Sequence, residues 1–240
     1  MRIVVTNCNT TQEMTEEIVR GARAAAGPGT TVTGLTPGWG PESAEGWLDS
    51  YLSAAAVLDT LRTYDGPPYD AVVMAGFGEH GREGVRELVD VPVVDITEAA
   101  AHLACLLGRR YGVVTTLDRS RGQIEDSLET AGVARNCVAV AGTGLGVLDL
   151  GGDPGRTEAA FLAAAGRARD AGAEVLVLGC AGMTGLQRVV GEKLGLPVVD
   201  GVGAAVKLAE SLVALGLTTS RAGSYRKPLA KRRVWGPRGA

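Results

Sequence analysis

The stretch DAVVMAGFGEHGREGVRELVDVPVVD (residues 70–95) and the stretch EVLVLGCAGMTGLQRVVGEKLGLPVVD (residues 174–200) share one layout. Each begins with an acidic residue and an apolar run, turns through small residues, continues in a helical pattern and ends on Pro-Val-Val-Asp. Short continuous apolar runs are typical of strands buried on both faces of a parallel sheet. The two stretches therefore predict a strand–helix–strand unit that occurs twice.

The same alternation of Val-rich runs and helical patterns continues along the 240 residues. It predicts four strands within residues 1–97 and four more, in the same order, within residues 110–201. We therefore expect an α/β fold of two similar lobes related by a pseudo-twofold axis, each a four-stranded parallel sheet flanked by helices. Ligands bind outside the carboxyl ends of such strands. The predicted active site is the cleft between the lobes.

The predicted domain boundaries follow from this repeat. Residues 1–97, together with a C-terminal helix at about 203–220, form the first lobe, and residues 98–202 form the second. Residues 221–240 form a basic tail with seven Lys or Arg residues and no acid. A solvated or subunit-contacting tail is favoured over a nucleic-acid site, because aromatic residues are few and no RNA-binding module precedes it.

Three segments have the capping-box pattern of a helix start. They are Thr10-x-x-Glu13, Ser120-x-x-Gln123 and Thr184-x-x-Gln187.

Composition excludes several function classes. The net charge of -3 gives no field that favours nucleic acid, and no apolar run approaches the roughly 20 residues that span a membrane. The start of the chain lacks the features of a secretory signal. The four cysteines have wide, irregular spacing, which argues against a disulfide framework or a zinc site, and two histidines make a His-rich metal site unexpected. We expect a cytoplasmic protein with thiols rather than disulfides.

Cys180 is the first candidate for chemistry. It lies on the turn between a predicted strand and helix, where backbone amides and the helix dipole favour a thiolate. Such a thiolate can act as a nucleophile or as a proton-transfer base. The alternative is a buried small hydrophobic residue, which is common for cysteine. The duplicated context favours the functional interpretation.

Gly76 occupies the position of Cys180 in the first copy of the repeat. It is explained by a tight turn with positive φ, by an open space that admits substrate, or by both. Glu79 and His80 follow within one turn, and either could supply a proton group in place of the missing thiol. A solvated surface pair is the favoured interpretation, because a residue four places further on points along the helix.

Polar residues follow the first strand of each lobe. Asn7 and the neighbouring threonine side chains, with the amides of the next helix, suit a carboxylate or an imide, although simple capping by Thr10 also explains them. Cys8 is a second thiol in this neighbourhood. Thr115 and Thr116 occupy the matching turn of the second lobe and could donate to the other end of a ligand, or cap a helix.

The remaining candidates are weaker. Cys105 and Cys137 are expected in the core, and His102 on a helix surface. The Gly/Pro-rich loop of residues 36–47 could cover the cleft, with Ser43 as a contact. Its residues Trp39 and Trp47 are expected to pack the loop rather than to bind a ring.

The motifs NCNTT, GPESAEG, AGFGEHG, VVTT and LGCAGM together resemble the aspartate/glutamate/hydantoin racemase superfamily, most closely its hydantoin and allantoin racemase branch. The resemblance covers nearly the whole chain. It implies two cysteines that face each other across the lobes. One removes a proton from a stereocentre beside a carbonyl, and the other returns a proton to the opposite face. It also implies a small-molecule substrate, no metal or organic cofactor, and a possible homo-oligomer.

By this resemblance Cys180 matches the second-lobe cysteine, and Gly76 stands where the first-lobe cysteine belongs. Three departures follow: Gly76 replaces the thiol, Cys8 replaces the usual proline, and Glu79-His80 replaces an Asp-Pro pair. The ligand-binding turns are matched by Asn7, Ser43, Gly76, Phe77, Gly78, Thr115, Thr116, Ala181 and Gly182.

Three functional hypotheses remain open. The first is a cofactor-independent racemase-family isomerase for a small carboxylate or cyclic amide, in which His80, Cys8 or water replaces the missing thiol. The second is a single-cysteine decarboxylase, cyclase or lyase, with the Gly/Cys pair of arylmalonate decarboxylases and CO2 leaving toward an empty Gly76 side. The third is a catalytically silent homologue that binds a small molecule.

Overall fold

The computed structural model describes residues 1–180 and 186–236 and contains two four-stranded sheets in which all pairings are parallel. The first sheet has the order β2-β1-β3-β4 and the second the order β6-β5-β7-β8. This confirms the predicted α/β fold with its duplicated strand order. The strands are β1 (Arg2–Thr6), β2 (Thr31–Leu35), β3 (Ala71–Met74), β4 (Val93–Asp95), β5 (Tyr111–Thr115), β6 (Cys137–Gly142), β7 (Val175–Leu178) and β8 (Val198–Asp200).

Helices connect the strands and cover the sheets. Among the residues that the structure describes, no helix is both long and apolar enough to cross a membrane. The helices are α1 (Gln12–Ala25), α2 (Trp47–Arg62), α3 (Arg82–Leu88), α4 (Ile96–Leu107), α5 (Arg121–Thr130), α6 (Pro154–Asp170), α7 (Gln187–Leu194) and α8 (Gly201–Ala214).

The two inner strands β3 and β7 explain the continuous apolar runs of the sequence. Every residue of Ala71–Met74 and of Val175–Leu178 is buried, because helices cover both faces of each sheet. The largest core cluster joins valines of both sheets to alanines of α4 and α8. These small side chains let the two helices pack closely against each other, which accounts for the abundance of alanine.

Helices α4 and α8 cross between the two sheets. Helix α4 follows β4 of the first sheet but packs against β7 of the second, whereas α8 follows β8 of the second sheet but packs against β3 and β4 of the first. The division of the chain near residue 97, with the last helix returning to the first lobe, stays a prediction that this packing supports.

The acid that ends both Pro-Val-Val-Asp segments begins the following helix. The Asp95 side chain accepts hydrogen bonds from the backbone amides of Thr97 and Glu98 at 2.8 and 3.3 Å and forms a capping box with Glu98. The Asp200 side chain accepts from the Gly203 amide at 2.8 Å. The repeat therefore preserves a helix N-cap in each half of the chain.

Two of the predicted capping boxes are wrong. Helix α1 has Thr11 rather than Thr10 as its N-cap, and neither Thr11 nor Ser120, the N-cap of α5, makes a side-chain cap bond. The Thr10 amide and hydroxyl instead donate to Pro41 O at 3.0 and 3.4 Å, and Gln123 bonds to another helix. Loop contacts over long sequence distances thus replace local capping. The third predicted box begins at Thr184, which lies outside the described residues.

The C-terminal segment of residues 217–236 runs along the outside of the first sheet. Much of it is exposed, as expected for a solvated tail. Arg221 departs from this expectation, because its guanidinium donates to the carbonyl groups of Arg86, Glu87 and Val89 at the end of α3. Cations stabilise the carboxyl ends of helices. The segment is therefore anchored to the first half of the chain.

Candidate functional site

A cavity lies where the carboxyl ends of β1, β3, β5 and β7 converge. The cavity volume is about 40 Å³. In open α/β sheets this is the position at which ligands bind. Its walls come from the turns after these strands, from the loop before α2 and from α5. The lining residues are Asn7, Cys8, Asn9, Met14, Ala44, Ala75, Gly76, Phe77, His80, Thr115, Thr116, Ser120, Gln123, Val147, Gly179 and Cys180.

Most of the predicted site residues line this cavity, and two described ones do not. Ser43 is absent from the walls, where its neighbour Ala44 takes part. Gly78 turns its amide away to donate to Thr97 Oγ1 at 2.8 Å. Ala181 and Gly182 lie outside the described residues. The roles assigned to all these residues stay predictions.

The side chains around Gly76 leave no room for a Cβ at this position. Its φ is not positive, and a Cβ on it would lie 2.3 Å from His80 Cδ2, 2.7 Å from Cys8 Cβ and 3.0 Å from Cys8 Sγ. The explanation by a turn with positive φ is therefore wrong. Gly76 does line the cavity, and its role in admitting substrate stays a prediction. Two side chains from elsewhere in the chain fill the space above Gly76.

The sheet register explains how Cys8 comes to lie beside Gly76. Strands β1 and β3 are parallel neighbours, with Thr6 opposite Met74. Two residues further along, Cys8 and Gly76 leave the sheet side by side. In the second sheet Val114 lies opposite Leu178. Thr116 and Cys180 therefore leave that sheet in the corresponding positions. Each half of the chain thus supplies one thiol to the cavity, but from different strands.

A network of buried amides fixes the turn that carries Cys8. Asn7 is only 1% exposed. Its Nδ2 donates to Asn9 Oδ1 at 2.8 Å and to Thr15 Oγ1 at 3.1 Å, and its Oδ1 accepts from the Cys8 amide at 2.8 Å. The Thr11 amide donates to Asn9 Oδ1 at 3.0 Å. The Asn7 side chain therefore supports the turn from within.

His80 is 4% exposed and lines the cavity, so the favoured prediction of a solvated pair with Glu79 is wrong. Its Nδ1 lies 3.1 Å from Ser50 Oγ, and burial lowers the pKa of its imidazole below the ordinary value. Glu79 adopts a φ of 72°. Its carboxylate accepts from the amides of Gly81 and Arg82 at 2.6 and 2.7 Å and thereby begins α3.

Two residues that hold His80 were missed as site residues by the sequence analysis. Gln123 Nε2 donates to Ser50 Oγ at 2.7 Å and to Glu79 O at 3.2 Å. Both Ser50 and Gln123 are buried. Their only signal in the sequence is a polar residue on the inward face of a helix, and a helical pattern does not say which partner it meets.

Burial also dominates the electrostatics of Cys8. It raises the pKa of the Cys8 thiol to about 12, and charge on Cys180 is the next largest contribution in the same direction. Cys8 is therefore a protonated thiol at neutral pH.

The cavity walls carry no Asp, Glu, Lys or Arg among the described lining residues. The adjoining segment AGMTG (residues 181–185) has none in its sequence either. Hydroxyls, side-chain amides, thiols and one imidazole therefore supply the polar side chains of the site.

A buried ionic cluster lies behind the first-sheet wall. Arg82 is 1% exposed, and its Nη1 lies 3.7 Å from Asp95 Oδ1 and 3.5 Å from Glu98 Oε2. Burial raises the pKa of Asp95 to about 7, against the opposing effect of Arg82. The cluster ties α3 to the start of α4.

The weaker candidates lie away from the cavity. Cys105 and Cys137 are partly buried against the main core, and His102 is exposed on α4, as predicted. Trp39 packs the loop, with its Nε1 donating to Asp59 Oδ2 at 3.0 Å. Trp47 is 44% exposed, so the prediction that it packs the loop is wrong.

Comparison with known proteins agrees with this architecture. The family described as Asp/Glu/Hydantoin racemase matches residues 3–209. The chain is 37% identical to hydantoin racemase of Pseudomonas sp. (strain NS671), over 98% of this chain and 94% of that protein. It is 38% identical to hydantoin racemase of Rhizobium meliloti, over 96% of each chain.

A solved structure extends the likeness to the fold. Allantoin racemase from Pseudomonas fluorescens superposes with a TM-score of 0.95 at 52% identity, covering 98% of this chain and 100% of that one. The chain belongs to the Asp/Glu/hydantoin racemase family.

Proposed function

We propose that this protein inverts a stereocentre beside a carbonyl in a small, uncharged cyclic amide of the hydantoin or allantoin type. Cys180 exchanges the proton on one face of that carbon. The observation that carries the proposal is Cys180 at the converging carboxyl ends of both sheets, on the wall of a cavity whose described lining residues include no Asp, Glu, Lys or Arg. The names of the similar hydantoin and allantoin racemases support it.

The reaction begins at Cys180. The Cys180 thiolate takes the proton from the stereocentre, and the electron pair of the broken C–H bond moves onto the carbonyl oxygen. Hydroxyls such as those of Thr115 and Thr116, which line the cavity, can donate to this oxyanion. Such donors contribute about 3–4 kcal/mol each in other enzymes. A donor on the opposite face, supplied by the first-sheet wall or by water, gives its proton to the carbon and completes the inversion, and the proton taken by Cys180 then exchanges with solvent.

The uncharged walls favour a neutral substrate. A zwitterionic amino acid would bring an ammonium and a carboxylate into a site whose lining residues include no formal countercharge, and burying an unpaired ion costs several kcal/mol. A cyclic amide brings only N–H and C=O groups. The hydroxyls of Thr115 and Thr116 on the cavity wall match such groups.

The space above Gly76 argues against the single-cysteine decarboxylase. That hypothesis needs room on the glycine side for a departing carboxylate. His80 and Cys8 occupy the space, and the described lining residues include no Lys or Arg to hold a dicarboxylate.

Purified protein incubated in D2O with each enantiomer of 5-methylhydantoin and of allantoin tests the proposal. Circular dichroism would follow the inversion, and NMR would follow deuterium at the stereocentre. We expect inversion with one deuterium incorporated, and its loss in Cys180→Ala. Inversion of alanine enantiomers without turnover of either cyclic amide would overturn the substrate class. Saturable binding without exchange would identify a silent homologue and overturn the activity.

A further inference from the structure

We propose that Glu45 is a latch residue. Its carboxylate closes the cavity by holding the loop before α2 against the second half of the chain, and small molecules enter where this contact breaks. Glu45 does not line the cavity itself, although its neighbour Ala44 does. The latch controls access to the cavity and does not depend on which reaction takes place there.

The closed cavity is smaller than the cyclic amides proposed as substrates. Its volume of about 40 Å³ has room for about three water molecules, since each needs about 10–15 Å³ of such space. A hydantoin ring with its carbonyl oxygens is larger than three water molecules. A part of the wall therefore has to move before such a molecule can bind.

The loop before α2 meets the second half of the chain at the cavity wall. Ala44 lines the cavity from the first half, and Val147 lines it from the second half. Directly beside them, Glu45 Oε1 accepts a hydrogen bond from the Val147 amide at 2.8 Å. This bond joins residues that lie 102 positions apart in the chain, and it closes the wall between the two halves.

The local structure explains why the Val147 amide is free to meet a partner from the other half. Val147 is the first residue of a short 3₁₀ helix, Val147–Gly151, and the first amides of a helix have no partner within it. The preceding amide, that of Gly146, donates to Asp149 Oδ2 at 3.1 Å. Glu45 supplies the acceptor for the Val147 amide, which would otherwise lack one.

Two further contacts accompany the latch. Ser120 Oγ of the second half donates to Glu45 O at 3.4 Å. Gly46 packs against the guanidinium of Arg119, whose Nη2 lies 3.0 Å from the point where a Cβ on Gly46 would be. These contacts join loops and short turns rather than strands of a sheet. They can therefore break without unfolding either half.

The beginning of the loop is tied to the first half. The Thr10 amide donates to Pro41 O at 3.0 Å, and Thr11 Oγ1 donates to Glu42 O at 2.8 Å. Residues 43–46 follow these two anchors and reach the second half. Movement of this short stretch away from Val147 opens the wall.

Alkylation of Cys180 by iodoacetamide, followed by peptide mass spectrometry, measures access to the cavity. Cys180 lines the cavity, so the reagent has to enter it to reach the sulfur. Glu45→Ala should raise the alkylation rate by at least about 5-fold, because losing a hydrogen bond to a charged group favours the open state by about 10-fold. Cys105, which does not line the cavity, should react at an unchanged rate.

Two variants of the same loop separate the contact from the charge. Glu45→Gln removes the charge but keeps an oxygen that can accept from the Val147 amide, so its Cys180 should react more slowly than that of Glu45→Ala. Glu42→Ala removes an exposed carboxylate three residues earlier. It should leave the rate of the intact protein unchanged.

Val147→Pro removes the donor instead of the acceptor. Proline is favoured at the first position of a helix, and Gly146 has the φ of -64° and ψ of 159° that suit a residue before proline. The variant should accelerate alkylation as Glu45→Ala does. The double variant should be no faster than either single one, because both changes break the same bond.

Three outcomes would overturn the latch. Alkylation of Glu45→Ala at the rate of the intact protein means that the reagent enters elsewhere. Equal rates for Glu45→Gln and Glu45→Ala mean that the charge of Glu45, rather than its contact, controls Cys180. An equal acceleration at Cys105 and Cys180 means that Glu45 stabilises the whole fold rather than the cavity wall.

Discussion

Gln123 of α5 donates a 2.7 Å hydrogen bond to Ser50 of α2 and thereby joins the two halves of the chain beside the cavity. The same Ser50 oxygen lies 3.1 Å from His80 Nδ1 and 3.2 Å from Glu79 O. A hydroxyl has one hydrogen to donate, so Ser50 gives it either to Glu79 O or to His80. If Ser50 donates to His80 Nδ1, the proton of the neutral imidazole lies on Nε2. If Ser50 donates to Glu79 O, the proton lies on Nδ1 and is donated to Ser50 Oγ.

Replacing Gln123 by Leu should destabilise the protein. The change removes both hydrogen bonds of the Gln123 amide and leaves buried acceptors on Ser50 and Glu79, at a cost of about 1–3 kcal/mol. Urea unfolding measures the loss. The matched control is Gln187→Leu at the exposed first residue of α7, which we expect to change the free energy of unfolding by less than about 0.5 kcal/mol. Equal effects at both sites would contradict the importance of the contact.

The stability of the protein should depend on pH through His80. Burial places the pKa of His80 in the folded state below its unfolded value of about 6.5, so the folded state binds fewer protons. Its contribution is complete above about pH 6.5 and is lost as the pH falls below that value. Replacing His80 by Gln should therefore reduce the stability lost between pH 7 and pH 5.

Comparing the intact protein with His80→Gln separates the pH dependence due to His80 from that due to Asp95. The raised pKa of Asp95, about 7, has the opposite sign, because stability is lost as the pH rises from about 4 through 7. Asp95 is present in both the intact protein and His80→Gln, so its contribution cancels when one stability curve is subtracted from the other. His102→Gln, on the exposed face of α4, controls for the loss of a histidine. Parallel pH curves for the intact protein and His80→Gln would refute the prediction.

Gly76→Ala should destabilise the fold and weaken the activity together. The new methyl group would meet His80 and Cys8 at 2.3 and 2.7 Å, and overpacking of this kind costs about 1–3 kcal/mol. Thermal unfolding and the racemisation assay measure the two effects.

Gly166→Ala in α6 is the matched control. A Cβ there meets nothing within 4 Å, so the change should stabilise the helix by about 0.5–1 kcal/mol. Unchanged stability of Gly76→Ala would show that the space above Gly76 adapts easily.

Asp95→Ala should cost more than Asp153→Ala. Both residues cap a helix through two backbone amides, and losing a cap costs about 1 kcal/mol. Only Asp95 is also fully buried beside Arg82. Arg82 keeps Glu83 and Glu98 as partners, so loss of the buried Asp95 contacts should add about 1–3 kcal/mol. Chemical denaturation of the two variants should separate them by at least about 1 kcal/mol, and equal losses would contradict the role of the ionic cluster.

The fold could be predicted because its signals are local. Buried parallel strands such as Ala71–Met74 have continuous apolar sequences, and the repeated Pro-Val-Val-Asp marks the same strand and helix start twice. The position of the turns that line the cavity could also be predicted, since the carboxyl ends of parallel strands meet at one edge of the sheet. Asn7, Thr115 and Cys180 were identified in this way.

The errors arose where contacts are distant in sequence. Gly76 was interpreted alone, but its meaning depends on Cys8, which meets it only through the register of β1 and β3. His80 was expected at the surface because its place after the strand gave no sign of Ser50, thirty residues earlier. The predicted Ser120 capping box is absent because the Gln123 side chain bonds to Ser50 on α2 instead.

The crossing of α4 and α8 has a consequence for the origin of the repeat. Each sheet is covered by a helix that begins at the end of the other sheet, so one copy of the repeat could not shield itself with its own last helix. A chain with a single copy of the repeat would have to exchange that helix with a second molecule, as domain-swapped dimers do. In the fused chain the exchange is intramolecular, so folding does not require an encounter between two molecules.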